Sequence, residues 1–299
     1  MMKKGKESPC YIDRAGEIHV TNQGEIIEIL ETFGHSKNII KFSDGTIKEN
    51  VAYNNIKSGA VEKPEERVGK QTITKQGYTI EIINYVNSSN CTVLFLETKN
   101  TKKTTFREFV TKTITNPLHR GVYNVGFEGV GLYDFKSNKK RCRVWTSMLQ
   151  RVCSNNYSAY KECTVDERWH NFQNFAKWYE ENYNPETMEG WHLDKDILVK
   201  GNKIYSPETC CFVPLEINTI FKNDRQKGYN KTADGNFIVR VNKLKYRETV
   251  GRFNTELEAF QAYKTAKEDY IKEVADKWKD LIDPRVYEAM YNYKVEIKV

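Results

Sequence analysis

Residues 191–218 read WHLDKDILVKGNKIYSPETCCFVPLEIN, and the segment LDKDI within them predicts a short β-strand. Successive side chains of a strand point to opposite sides. Asp194 and Asp196 therefore share one face with His192, and Lys195 lies on the other face. Two carboxylates and an imidazole on one face make this strand the first candidate for a functional site.

The second half of this stretch carries a spaced series of residues. The series consists of Gly201, Asn202, Lys203, Tyr205, Thr209, Val213 and Asn218. It resembles the distal half of an HNH, or ββα-metal, endonuclease of the phage and homing type, in which a typical line reads GNKxNNxxxNLxxVxxxEN. In this resemblance Tyr205 and Thr209 take asparagine positions, and Asn218 stands where a helix supplies the last polar ligand. The resemblance covers roughly residues 144–221.

An HNH-like site implies a metal ion that stabilises charge on the scissile phosphate and a general base that activates water. Asp194 and Asn218 are the candidate metal ligands, because Mg²⁺ prefers oxygen ligands. Lys195 stands where the family has its catalytic histidine, and a lysine is protonated at neutral pH unless it is strongly desolvated. His192 is the candidate substitute. The candidate catalytic residues are therefore His192, Asp194 and Lys195.

Three interpretations of this site stay open. The frame is catalytically silent and still grips DNA without a cofactor, or it is an active Mg²⁺-dependent nuclease with unusual residues. In the third interpretation the Asp/Lys cluster is structural, for example a buried ion pair beside a turn.

Two helices are predicted before this stretch from apolar residues at helical spacing. Their stripes are Trp145, Met148, Leu149 and Val152, and then Trp169, Phe172, Phe175, Ala176 and Tyr179. Asp166 and Glu167 suit the start of the second helix, where acidic groups complement the helix dipole. We expect the aromatic residues to form core.

Downstream of residue 227 the sequence predicts strands followed by a helix. In ADGNFIVRV, Phe237, Val239 and Val241 alternate with Ile238 and Arg240, so one face is buried and the other presents a cation. The helix opens at NTELEA with Asn254 or Thr255 as its cap. Its predicted buried stripe is Leu257, Phe260, Tyr263, Ala266 and Tyr270. The alternation in YNYKVEIKV (291–299) predicts a terminal strand.

The same segment carries a second spaced series. The series is Gly235, Phe237, Val239, Val241, Val250, Gly251, Phe253, Thr255, Glu258, Ala259, Ala262, Tyr263 and Ala266. It resembles the APETALA-type DNA-binding domain, the module of plant ethylene-response factors that also occurs in phage homing endonucleases. The resemblance implies a three-stranded sheet that lies in the major groove and contacts bases and phosphates. Carried over by position, the candidate contacts are Lys231, Arg240, Lys243, Lys245, Arg247 and Arg252.

Positive charge is concentrated in two stretches of a chain whose net charge is +7. Residues 222–252 contain nine Lys/Arg against three Asp/Glu, and KSNKKRCR (136–143) contains five cations and no acid. Clustered cations are what a phosphate-binding surface requires. Lys140, Arg141 and Arg143 therefore join the candidate DNA contacts.

The front of the chain contains a repeat, because a shift of 53 residues aligns 16–64 with 69–117. Ten positions are then identical, among them Gly16, Thr21, Gly24, Ile27 and Phe42 of the first copy. Each copy predicts short, bent antiparallel strands separated by glycine and Asn/Ser turns, and such units resemble small Tudor-like β-barrels. The barrels either space or dimerise the protein, or they contribute to nucleic-acid or protein binding. The glycine-rich segment that follows, HRGVYNVGFEGVGLYDF (119–135), predicts a linker or an edge strand.

Seven scattered cysteines without a CxxC pair favour reduced thiols over a disulfide framework or a zinc site. No apolar run approaches the roughly 18 residues that cross a bilayer, and residues 1–10 lack the apolar core of a signal peptide. We therefore expect no membrane partner and a cytoplasmic protein, in the host cell if the chain is phage-encoded.

The expected fold class is α+β with four segments. These are a tail and first barrel (1–66), a second barrel (67–120), an HNH-like domain (121–222) and an APETALA-like domain with a C-terminal extension (223–299). The expected function is that of a phage-type protein that binds double-stranded DNA. The alternatives are a Mg²⁺-dependent homing-type endonuclease and an interaction protein whose barrels block a host or defence factor. The sequence leaves the oligomeric state open.

Overall fold

The structure, a computed structural model, describes residues 12–63, 67–154, 156–221 and 228–296. The fold is α+β, as predicted, with small and mostly antiparallel sheets and seven α-helices in the described part of the chain. The chain divides into two compact units, Met1–Asn116 and Pro117–Val299. Among the described residues, no helix combines the length and the apolar content needed to span a membrane.

The first unit contains two four-stranded antiparallel sheets, each followed by a short helix. The first copy comprises β1 (Ile18–Val20), β2 (Ile26–Thr32), β3 (Asn38–Phe42), β4 (Ile47–Val51) and α1 (Tyr53–Lys57). The second comprises β5 (Gln71–Ile73), β6 (Thr79–Asn87), β7 (Asn90–Phe95), β8 (Thr101–Thr104) and α2 (Phe106–Thr111). In both sheets the strands pair in chain order.

The sequence repeat is also a repeat of hydrogen bonds. The hydroxyl groups of Thr21 and Thr74 each accept the backbone N–H of the residue four positions later, at 3.1 Å in both copies. In the same turns Gly24 and Gly77 have φ of +85° and +87°, a conformation that glycine adopts without a steric penalty. The shared glycines and threonines therefore specify the same turn twice.

The predicted closed barrel is not found in the described residues, where each sheet is open and its first and last strands do not pair. Instead, the short helix covers the buried face of the sheet. Ile56 of α1 joins the core of the first copy, and Phe109 of α2 joins that of the second. A helix that already shields the apolar face removes the need to close the sheet on itself.

The second unit contains the remaining elements. They are α3 (Lys139–Cys153), β9 (Thr164–Val165), α4 (Phe172–Asn182), β10 (His192–Asp194), β11 (Ile204–Tyr205), β12 (Cys211–Val213), α5 (Leu215–Ile220), β13 (Tyr229–Lys231), β14 (Phe237–Asn242), β15 (Arg247–Phe253), α6 (Glu256–Trp278) and α7 (Pro284–Tyr291). β10 pairs with β12 antiparallel, β9 pairs with β11 parallel, and β13, β14 and β15 form one antiparallel sheet in that order.

The two predicted helices of the middle segment are present, with a corrected start for the second. Trp145, Met148 and Leu149 of α3 are buried, as expected. Trp169 is also buried, but it belongs to a 3₁₀ turn (Glu167–His170), and α4 begins at Phe172. The reason is capping: Asp166 caps the 3₁₀ turn, and Asn171 accepts the backbone N–H of Gln173 and opens α4 separately.

The glycine-rich segment is neither a free linker nor an edge strand in the described structure; it packs on α3 and α4. The amide of Phe127 donates to the carbonyl of His170, and its carbonyl accepts the amide of Phe172, both at 2.9 Å. A Cβ at Gly126 would lie 2.5 Å from Leu149 Cδ1. Glycine is required there because the backbone approaches the helix closely.

The C-terminal segment forms the predicted three-stranded sheet and helix. Thr255 is the N-cap of α6, in a capping box with Glu258. The predicted helical stripe holds except at Leu257, which is 66% exposed, whereas Ala259 is buried in its stead. Leu257 lies in the first turn of α6, and it is Ala259 and Phe260 that meet the core.

The prediction of a terminal strand at 291–299 is wrong for its described part, residues 291–296. Tyr291 is the last residue of α7, which begins at Pro284 with Asp283 as its cap. Residues 293–296 contain no strand, and residues 297–299 lie outside the described residues. The backbone of Val295 is held by Glu268 and Lys264 of α6 instead of by a neighbouring strand.

The elements of the second unit share one core. Val239 and Val241 of the C-terminal sheet belong to the same buried cluster as Trp145 of α3, Phe212 of β12 and Ile217 of α5. The HNH-like and APETALA-like segments therefore stabilise each other through apolar contact.

Candidate nucleic-acid interface

Cationic side chains gather on the side of the C-terminal sheet that faces away from α6, which we call the basic face. Val239 and Val241 of β14 are buried on the helix side, so Ile238, Arg240 and Asn242 point to the other side. The register places Arg252 opposite Ile238, Thr249 opposite Arg240, and Arg247 opposite Asn242. Residues directly opposite each other in a sheet share a face.

The three arginines of the basic face differ in their partners. Arg252 forms an ion pair with Asp234 at 3.3 Å. The guanidinium groups of Arg240 and Arg247 form no ion pair or hydrogen bond within the described part of the chain. Arg247 is exposed and Arg240 is half-buried. Two arginines are thus available for an external anion.

Two predicted contacts lie on the helix side of the sheet. Lys231 pairs in register with Phe237, and its Nζ lies 5.9 Å from the centre of that ring. Lys243 Nζ lies 2.9 Å from a carboxylate oxygen of Glu248, and this hydrogen bond raises the pKa of Lys243. Lys245 is exposed in the turn after β14. The structure therefore does not bring Lys231 and Lys243 together with the arginines of the basic face.

The second basic stretch is only partly exposed. Arg141 is 4% exposed and forms an ion pair with Glu180 of α4, next to the rings of Tyr133 and Phe172. Its position was readable in the sequence, because Arg141 precedes Trp145 by four residues and falls on the buried stripe of α3. Arg141 therefore holds α3 against α4.

The neighbours of Arg141 remain at the surface. Arg143 is exposed. Lys140 is exposed as well, and its ammonium group donates a hydrogen bond to the hydroxyl of Tyr183. Of the three predicted contacts in this stretch, these two are accessible to a ligand.

The HNH-like stretch forms β10, β11, β12 and α5 in chain order; β10 and β12 pair with each other, and together with α5 we call them the ββα element. Trp191, Leu193 and Lys195 are buried, whereas His192 and Asp196 are exposed and Asp194 is half-buried. His192 and Asp194 therefore share the outward side of β10. Asn218 is half-buried in α5, the helix that packs against β10.

Lys195 is engaged in bonds within the protein. It is 7% exposed, and its ammonium group donates to a carboxylate oxygen of Asp196 and to the carbonyl of Asn202, both at 3.0 Å. The side-chain amide of Asn202 donates back to the carbonyl of Lys195 at 2.6 Å. These bonds connect the end of β10 to the turn at 201–203.

The carboxylate of Asp194 is engaged with the loop that follows it. Oδ1 accepts the backbone N–H groups of Asp196 and Ile197, both at 2.9 Å, and the carboxyl group also interacts with the side chain of Asp196. Burial, and then the charge of Asp196, raise the pKa of Asp194 to about 6. A half-buried carboxylate offers the oxygen ligands that a hard cation such as Mg²⁺ prefers.

Few other metal-ligating side chains lie near Asp194. In the described ranges no three His, Cys, Asp or Glu side chains are grouped so that they could hold a metal ion. Cys210 and Cys211 are buried, and burial raises the pKa of Cys210 to about 12. This thiol therefore stays protonated at neutral pH and is a poor metal ligand. Asp194, with Asn218 as the only predicted co-ligand, fits a metal ion incompletely.

Sequence reasoning missed the contacts that fix α5. Lys267 of α6 is 2% exposed and donates to the carbonyl of Ile220, at the end of α5, at 2.7 Å. Near the start of α5, Glu216 accepts hydrogen bonds from Lys277 at 2.6 Å and from the indole of Trp278 at 2.8 Å. The helix of the ββα element is therefore bound at both ends to the helix that covers the basic sheet.

In each repeat of the first unit an arginine lies over an aromatic ring of the same repeat, and Arg67 also lies 4.7 Å from the ring centre of Tyr85. The guanidinium carbon of Arg14 lies 3.6 Å from the ring centre of Tyr53, and that of Arg67 lies 3.9 Å from the ring centre of Phe106. These pairs are equivalent at the shift of 53 residues. The rings are thus partly occupied from within the chain.

No family model, curated protein or solved structure matches this chain. Function must therefore be argued from the chemistry of the sites themselves.

Proposed function

We propose that this protein binds double-stranded DNA through the basic face of the β13–β15 sheet. The observation that carries the proposal is the placement of Arg240, Arg247 and Arg252 on one side of a small sheet, where the first two have no ion-pair or hydrogen-bond partner among the described residues. The phosphate backbone attracts such a cluster, and the attraction weakens as salt rises.

The resemblance to APETALA-type domains supports a contact in the major groove. Arginine can donate two hydrogen bonds to the O6 and N7 atoms of guanine and so distinguish this base. Lysine acts mainly as a point charge on phosphate. Arg240 is the best candidate for such a contact, because its half-buried position between Ile238 and Asn242 restricts its rotamers. Arg252 is held by Asp234 and suits a phosphate.

The ββα element gives this proposal a second contact region. Because α5 is bound to α6 at both ends, the strand that carries His192 and Asp194 is held at a fixed position relative to the basic face. The HNH resemblance implies that this element lies at the scissile phosphate. Lys195 replaces the general base and is bonded to Asp196 and Asn202, which favours gripping DNA over cutting it.

The test is a titration of duplex DNA with the full chain at several salt concentrations. Arg240→Ala with Arg247→Ala should weaken binding by about 1–3 kcal/mol for each arginine that contacts guanine, which is about tenfold to a hundredfold. A matched control is Lys161→Ala with Lys177→Ala, because both lysines are exposed on the second unit and the same charge is removed. Equal losses in the two double variants would contradict a contact at the basic face, and binding insensitive to salt would contradict the proposal as a whole.

A second candidate function is metal-dependent DNA cleavage. It is favoured by the half-buried carboxylate of Asp194, which lies on the same outward side of β10 as His192. Supercoiled plasmid incubated with the protein and Mg²⁺ or Mn²⁺ tests it directly. Metal-dependent nicking that Asp194→Ala abolishes, while binding survives, would establish cleavage, and a gel shift without nicking would leave DNA binding as the function.

A further inference from the structure

A short loop of the second unit displays two apolar side chains to solvent. Leu132 is 98% exposed and Val130 is 63% exposed. Gly131 lies between them, and a Cβ at this glycine would be 2.4 Å from Gln173 Oε1. The side chain of Gln173 thus fills the space beside Gly131, whereas the side chains of Val130 and Leu132 are exposed to solvent.

The loop is held in place by the side chain of one residue. Gln173, in the first turn of α4, accepts the amide of Tyr133 at 2.9 Å and donates to the carbonyls of Tyr133 at 2.9 Å and Glu128 at 3.2 Å. The amide of Gly129 also donates to the carbonyl of Pro117 at 2.8 Å. Val130 and Leu132 thus lie on a loop that is held by hydrogen bonds to Gln173. Their side chains are exposed and contribute little buried apolar area to the fold.

The loop leads directly into a cationic helix start. Lys136, Lys139 and Arg143 are exposed and form no ion pair in the described part of the chain. The first turn of α3 contains no acidic residue, although the partial positive charge of a helix N-terminus favours acids there and disfavours lysines. Glu128 and Asp134 offset only part of this charge. The surroundings of the loop thus complement a polyanion.

We propose that Val130 and Leu132 form an apolar wedge that enters the minor groove of duplex DNA and partly unstacks a base step. Apolar side chains braced on a protein surface and flanked by cations use this mode of binding, in which the kinked duplex gains contact with the protein. Lys136, Lys139 and Arg143 hold the adjoining phosphates. The wedge rests on the proposed function and adds a deformation of the DNA to it.

The test measures DNA unwinding without knowledge of a target sequence. A nicked circular plasmid is sealed by DNA ligase in the presence of the full-length protein, the protein is removed, and the topoisomers are separated on a gel. The wild-type protein should shift the topoisomer distribution in proportion to its occupancy. Val130→Thr with Leu132→Asn, which keeps the size of both side chains, should lose most of this shift and raise Kd by about tenfold.

The matched control is Leu281→Asn, because Leu281 is also an exposed leucine of the second unit; it should retain the full shift. A shift that persists in the Val130/Leu132 variant at equal occupancy would overturn the wedge. Binding by the wild-type protein without any topoisomer shift would also overturn it and leave the proposed function intact. Absence of DNA binding by the wild-type protein would instead refute the proposed function.

Discussion

Two charged residues of the ββα element, Lys195 and Asp194, differ in how well the protein compensates their charge. Lys195 is buried but bonded, so its charge is compensated by Asp196 and by the carbonyl of Asn202. Asp194 is half-buried and lies near the like charge of Asp196, which raises its pKa to about 6. A carboxylate kept ionised under such conditions lowers stability and is typical of functional sites.

The pKa of Asp194 predicts a pH-dependent cost. The folded state keeps the proton up to about pH 6, whereas an unfolded chain releases it near pH 4. The folded state thus binds more protons between these values, and the contribution of this group to stability is lost as pH rises through that window. Asp194→Asn, which cannot ionise, should be more stable to denaturant than wild type at pH 7.5 by about 3 kcal/mol, since each pKa unit corresponds to about 1.4 kcal/mol.

Tryptophan fluorescence during urea unfolding is a suitable probe, since all five tryptophans lie in the second unit. The difference between Asp194→Asn and wild type should become small as pH falls below about 4, where Asp194 is protonated in both states. A constant difference at both pH values would mean that lost or gained contacts, and not ionisation, cause it. Asp196→Asn is a poor comparison because it also breaks the ion pair with Lys195.

At the scale of secondary-structure elements, the short helix after each sheet of the first unit covers the apolar face of that sheet. In a closed barrel the sheet itself would cover this face. Ile56 of α1 and Phe109 of α2 occupy equivalent positions at the shift of 53 residues, and both are buried against their own sheet. An open sheet of four short strands needs such a cover, because one apolar face would otherwise meet water.

This role predicts a large effect of truncating one anchor. Ile56→Ala should destabilise the first repeat by about 2–5 kcal/mol, because a methyl-lined cavity replaces a fully buried side chain. Hydrogen exchange of the β2 and β3 amides should accelerate strongly. The amides of β6 and β7 in the second repeat serve as an internal reference, and Lys57→Ala on the exposed side of α1 serves as the control.

Exchange of β2 and β3 that stays within a few-fold of wild type in Ile56→Ala would show that α1 does not support the sheet. Equal acceleration in both repeats would show instead that the two sheets unfold as one cooperative block.

At the scale of the whole molecule, the core of the second unit crosses the boundary suggested by the two family resemblances. Buried residues of α3, α4, β12 and α5 form one cluster with those of β14 and α6. Polar contacts follow the same route, from Glu216 and Ile220 of α5 to Lys277 and Lys267 of α6.

This shared core predicts which fragments fold. Residues 117–299 expressed alone should give a cooperative unfolding transition and retain DNA binding, because both candidate contact regions lie within them. Residues 223–299 alone should not fold, since Lys267 would lose the carbonyl of Ile220, and Lys277 and Trp278 would lose Glu216. Circular dichroism and proton NMR dispersion measure both outcomes, and a folded 223–299 fragment would contradict the shared core.

Much of the fold could be predicted from the sequence, because local periodicity and turn chemistry are properties of neighbouring residues. The shift of 53 residues predicted a repeated turn that both copies form, the stripe of Trp145 predicted α3, and the alternation around Arg240 predicted which side of β14 is buried. The same reasoning placed His192 and Asp194 on one side of β10 and Lys195 on the other.

The sequence by itself determined the α+β class, the repeat and the outward sides of β10 and β14, since these follow from the spacing of the residues. Only the tertiary structure decided the partners of the charged groups. Arg141 meets Glu180 across 39 residues, and Lys267 reaches the carbonyl of Ile220 across 47 residues. A lysine or arginine looks the same in the sequence whether it is exposed to DNA or bonded to a buried acceptor. Its partner depends on which groups the folded chain brings within hydrogen-bond distance.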